Sequence, residues 1–166
     1  MKAFCSIAAS LLLPALTVAQ VPASARTDAH NGRVDSAIAA IGNAQGADAQ
    51  SLLCSLYSSI DQHDRAIQAC EAAAKAAPNN STYALELARV YGDKADHSGA
   101  FTGMRMVGKI RGSFERAVRL DPSNVEALSD LGQFYVEAPG IAGGGTDKAR
   151  DLVEKLKPLS PARSHR

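Results

Sequence analysis

Three features of the sequence predict an all-α fold, a right-handed superhelix of about three stacked helix pairs with a half repeat in front. Apolar residues recur three or four positions apart in every long segment, the spacing of a helix with one buried face. Hydrophobic residues make up 46% of the chain while aromatics are only 5% and Trp is absent. The buried material is therefore mostly Ala and Leu, which suits close-packed helices and suits a β-sandwich badly. Finally, one apolar pattern returns three times with the same internal offsets, the mark of a repeat architecture.

The first segment reads as an export signal over 1–25. Lys2 supplies a positive start, and Ala3 to Leu13 is apolar apart from Ser6 and Ser10. Thr17-Val18-Ala19 and Ala23-Ser24-Ala25 are small-residue triplets of the cleavage type, so cutting is expected after 19 or 25. Pro14, Thr17 and Gln20 dilute the run below a good membrane span, leaving membrane attachment only to an uncleaved signal. Arg26 to Asn31 is expected to be a mobile leader to a helical domain covering 26–161.

That domain divides into a half repeat, 32–46, and repeats 47–80, 81–124 and 125–161, with a fraying tail at 162–166. Gly32 to Ile38, with Ile41, reads as a lone second helix that would cap the stack. The first full repeat carries Leu53-Cys54-x-x-Tyr57, then Ala66-x-x-x-Cys70, then Pro78. The second carries Leu87-Ala88-x-x-Tyr91, Ile110-x-x-x-Phe114 and Pro122; the third carries Leu131-Gly132-x-x-Tyr135, Ala149-x-x-x-Val153 and Pro161. Each Leu and Tyr share a face, being four apart. The residue before each Pro disfavours the α region and ends the second helix. Asn79-Asn80-Ser81 and Ser123-Asn124 then offer N-cap chemistry for the next one.

Two repeats are lengthened. The second gains ten residues between Tyr91 and Ile110, where Phe101, Met104, Val107, Ile110 and Phe114 form one apolar stripe of a longer second helix. The stripe is expected in the core, and Gly99, Gly103, Gly108 and Gly112 signal close helix contacts or a frayed start. The third gains five residues in a glycine-rich turn, Ala138 to Ala149. That turn lacks the preceding strand and the Gly-Lys-Ser/Thr ending of a phosphate loop. A plain helix start capped by Thr146 or Asp147 is expected instead.

The order Leu-Gly-x-x-Tyr, Ala-x-x-x-Phe, Pro resembles the tetratricopeptide repeat, and residues 32 to 161 look like short exported bacterial proteins of that kind. The resemblance implies a periplasmic or secreted adaptor that holds a polypeptide in a concave groove. Carried over, the groove positions are Ser51, Ser55, Leu85, Arg89, Glu126, Ser129 and Gln133, a mostly neutral surface with Arg89 as its cation. Glu86, Glu126 and Asp130 stand where a carboxylate clamp would place Asn or bases, so a partner's C-terminal carboxylate is not the expected ligand.

Chemistry is sparse. Lys plus Arg is 18 against 17 acids, a net charge of +1 that argues against bulk-charge binding to nucleic acid or membrane. Arg105, Lys109, Arg111, Arg116 and Arg119 lie around one helix without interleaved aromatics, which does not make a nucleic-acid platform. No catalytic set, cofactor or metal is expected: Asp93, Asp96 and His97, with remote His63, fall short of three or four convergent ligands. A metal-dependent hydrolase would have to use that cluster; a structural role would pack the long helix into an envelope complex. Cys5 belongs to the signal, leaving Cys54 and Cys70 as an even pair at inward positions. They are either packed thiols or, as export favours, a disulfide closing a 16-residue separation.

Overall fold

The structure, a computed structural model, describes residues 21–159, so most of the export segment and the tail lie outside it. The described residues form eight α-helices and two short 3₁₀ turns, with no strand among them. The helices are α1 (Ala23–His30), α2 (Val34–Ile41), α3 (Ala47–Ser59), α4 (His63–Ala76), α5 (Ser81–Asp96), α6 (Ala100–Leu120), α7 (Val125–Glu137) and α8 (Thr146–Leu156). None of them is long and apolar enough to cross a membrane.

Helices pack as consecutive pairs around one core, in which Ala and Leu predominate and the two cysteines are buried. Each first helix buries its repeated Leu: Leu53, Leu87 and Leu131. Each second helix answers with small residues, Ala66 and Ala73 on α4 and Ala117 on α6, all fully buried. Small side chains here let helix axes approach, and apolar burial near 25 cal/mol per Å² drives the association. The expected caps are present. Asn80 accepts from the N–H groups of Thr82 and Tyr83, at 2.9 and 3.2 Å, and Asn124 accepts from that of Ala127 at 3.0 Å. The Asn124 amide also donates to Ser81 Oγ, and Ser81 donates to the Ala117 carbonyl, so one helix start is tied to the end of α6.

Three expectations need correction. The segment Arg26–Asn31 is no leader: it lies in α1 and its C-cap, α1 packs against α2, and the half repeat is thereby a full pair. In the same region Ala25 is fully buried and Val21 nearly so, and both belong to the core. Neither Thr146 nor Asp147 caps α8; the cap position is Gly145, without a side-chain bond, and Asp147 pairs with Arg150. Finally, the α6 stripe divides: Ile110 and Phe114 are buried, whereas Met104 is 50% and Phe101 78% exposed.

Length explains the division. At 1.5 Å per residue, α6 with 21 residues outruns α7 with 13 by about 12 Å. Running antiparallel, α7 covers the C-terminal part of α6 and leaves the α7-facing side of its first turns bare, while α5 still packs against them. Of the four glycines there, only Gly103 has a close neighbour, since a Cβ would stand 3.2 Å from the Ala95 carbonyl oxygen; around Gly99, Gly108 and Gly112 there is open space. The glycine-rich turn does require its glycines. Gly143 sits at φ +88° against the Arg111 guanidinium, and a Cβ on Gly144 would collide with the Ala138 carbonyl.

Candidate functional site

The overhang of α6 forms one wall of a groove of about 590 Å³ between α5, α6 and α7. Its floor is apolar: Ala88, Gly92, Met104, Val107, Ile110 and Phe134 line it. Its rim is acidic, with Asp93, Asp96, Asp130 and Glu137 against the single cation Arg89. That cation is already committed: Arg89 Nε donates to Asp130 at 2.7 Å and Nη2 to Glu126 at 3.0 Å. The groove is therefore acidic rather than neutral, and Arg89 serves to hold α5 to α7.

The groove positions carried over from the repeat family come out differently from one another. Arg89 and Gln133 line the large groove. Ser51 and Ser55 line a second recess with Asp48 and Tyr83, and Ser55 shares a third with Glu86 and Arg89. The three recesses connect along one face through Ser55 and Arg89. Glu126 is exposed and bound to Arg89, and Ser129 is exposed outside the three recesses. Leu85 is not in a groove at all. It is 2% exposed, because it falls on the face of α5 turned to the core.

Three buried tyrosines join the helix pairs, a role that the repeat pattern alone does not announce. Tyr91 donates to Glu71 at 2.5 Å and Tyr135 to Glu115 at 3.0 Å, while Tyr83 donates to Asp48. Burial, then the adjacent carboxylate, pushes the Tyr83 and Tyr135 hydroxyls up to about 12, and Tyr91 is raised for the same reasons. Glu71 and Glu115 each follow the aligned residues Cys70 and Phe114, a signal that was present in the repeat alignment. The equivalent slot for Tyr57 is Ala37, and Tyr57 instead lies under the Arg65 guanidinium. Glu86 is also raised, by burial, although Ser51 donates to it at 2.7 Å.

Three of the five basic residues of α6 contact other elements of the fold. Arg116 donates to the Pro78 carbonyl at 2.7 Å, Lys109 stands over the Tyr91 ring, and Arg111 reaches the Ala142 carbonyl. Lys148 likewise donates to the Gly143 carbonyl, so the glycine turn binds its own lysine. Cys54 and Cys70 are buried and joined as a disulfide, their Cα atoms 5.1 Å apart. Of the suspected metal cluster, His97 meets His63, but the Asp93 carboxylate turns to Ser58.

Solved structures repeat this architecture. MamA from Desulfovibrio magneticus RS-1 (residues 41 to the end) superposes with a TM-score of 0.66 at 18% identity, over 84% of this chain and 73% of that one. A thermophilic TPR protein from Thermus thermophilus gives 0.64 at 16% identity, over 82% and 71%. The human IFIT1 dimer with PPP-AAAA gives 0.62 at 17%, over 81% of this chain and 30% of that one. The chain has a tetratricopeptide-repeat fold. Neither a protein-family model nor a curated protein matches its sequence.

Proposed function

We propose that this chain is an exported binding scaffold that seats a polypeptide segment in the groove between α5, α6 and α7. The observation that carries this reading is the pairing of an uncovered apolar surface, half-exposed Met104 beside Val107 and Phe134, with an acidic rim. An apolar floor rewards bulky aliphatic or aromatic anchors. Carboxylates at Asp93, Asp96 and Glu137 favour Lys or Arg flanking those anchors and repel acidic segments. The fitting partner is therefore a basic, amphipathic polypeptide.

Export is supported by the charged start, apolar core and cleavage triplets of the first segment, and by the pairing of Cys54 with Cys70. Val21 and Ala25 belong to the core, which favours cleavage after Ala19 over cleavage after Ala25.

Fluorescence anisotropy with two labelled peptides of equal apolar content, one Lys-flanked and one Glu-flanked, tests the groove. The Lys-flanked peptide should bind about tenfold tighter or better, and Met104→Asp should abolish the binding. Equal affinities for both peptides, or an unchanged affinity in Met104→Asp, would move the binding surface elsewhere.

A further inference from the structure

On the edge formed by the α3–α4 turn and the end of α5, apart from the groove, two histidines and an aspartate converge. We propose that Asp61, His63 and His97 bind one divalent transition-metal ion of the zinc class. Asp61 lies in the turn between α3 and α4, His63 opens α4, and His97 caps the C-terminus of α5. A ligand atom from each lies within 4.8 Å of the others, and the two imidazole rings are 4.7 Å apart. Tetrahedral zinc with bonds near 2.0 Å separates its donors by about 3.3 Å. Small rotations of side chains, two of them exposed, close that difference.

Protonation favours the site. His97 Nδ1 lies 2.7 Å from the Asp93 backbone carbonyl, which only accepts, so Nδ1 carries the proton and Nε2 the free lone pair. Ligating histidines are set in the same way, with the other ring nitrogen donating to a carbonyl or carboxylate. His63 Nδ1 is buried without a hydrogen-bond partner among the described residues, and an ion held between the rings and Asp61 would coordinate a ring nitrogen of His63. Asp61 itself stands at φ +56°, a turn position where helices commonly end on glycine. A carboxylate is thereby presented beside both imidazoles.

The neighbouring charges are engaged elsewhere. Lys94 pairs with Asp64 at 3.2 Å, Arg65 donates to Gln62 at 3.0 Å, and the Asp93 carboxylate accepts from Ser58 at 3.2 Å. Two imidazoles and one carboxylate suit zinc and its first-row neighbours better than calcium or magnesium, which prefer all-oxygen shells. Because the ligands come from two successive helix pairs, the ion would tie the first tetratricopeptide repeat to the second.

The test uses the tag-free chain with its disulfide intact and any free thiol alkylated, stripped with EDTA and titrated with zinc chloride alone. Calorimetry should give one zinc per chain with Kd of about a micromolar or tighter, and thermal scans a raised Tm. Asp61→Asn and His97→Ala, each checked by circular dichroism for an intact fold, should weaken zinc by about tenfold or more. His30→Ala, on α1, should leave it within about twofold. Failure to bind zinc below about a millimolar, or parental affinity in both Asp61→Asn and His97→Ala, overturns the site.

Discussion

The α3–α4 pair and the α5–α6 pair use the same repeat positions, yet the first closes on itself and the second leaves part of a helix bare. In α3–α4 the helices are matched, 13 and 14 residues, and Cys54 and Cys70 join them across the core. In α5–α6 the lengths are 16 and 21, and the surplus of α6 has no helix of α7 to lie against. Slot identity therefore decides which face a residue takes, while the length of the neighbouring helix decides whether that face is covered. The last pair repeats the lesson: Val153 occupies the slot of Cys70 and Phe114 but is 50% exposed.

The largest expected effect sets the two ends of α6 against each other. Phe114→Ala should cost about 3–5 kcal/mol in urea unfolding, because it empties a buried site. Phe101→Ala should stay within about 0.5 kcal/mol, as exposed substitutions do. Similar costs at both positions would mean that the start of α6 is covered after all.

Next comes the closed pair. Replacing Cys54 and Cys70 together by Ala should lower stability by about 3 kcal/mol on the chain-entropy model for a 16-residue separation. The companion measurement is a thiol titration of denatured, unreduced protein, which should find this pair unreactive.

A smaller effect separates repeats with and without the tyrosine–glutamate link. Tyr91→Phe and Tyr135→Phe should each cost about 1 kcal/mol, the net worth of one hydrogen bond. Tyr57→Phe, whose slot partner is Ala37, should cost measurably less.

The smallest is a pH dependence. A hydroxyl raised by folding favours the protonated, native form, so its contribution is complete below the ordinary tyrosine value of 10. It is lost as pH climbs toward about 12. Alkaline melting curves should show a decline over that window, and Tyr83→Phe with Tyr135→Phe should flatten it.

Much of this molecule was legible in its sequence. The Leu and Tyr spacing, the prolines and the Asn caps belong to local chemistry: a 3.6-residue period and a capping side chain act within one or two turns. The inward placement of Cys54 and Cys70 follows from the same period. What escaped the sequence depends on partners distant along the chain. Leu85 reads as a groove position until α5 is seen to turn it to the core, and Arg89 as a free cation until α7 brings Asp130 and Glu126 to it. The α1 segment, with few apolar residues, becomes a helix because Ala25 finds a buried place in the stack. The sequence alone set the helices and their buried faces, since those rest on neighbours three and four residues away. Only the tertiary structure decided the groove and the Asp61–His63–His97 cluster, because relative helix length and the meeting of separate turns come from packing between repeats.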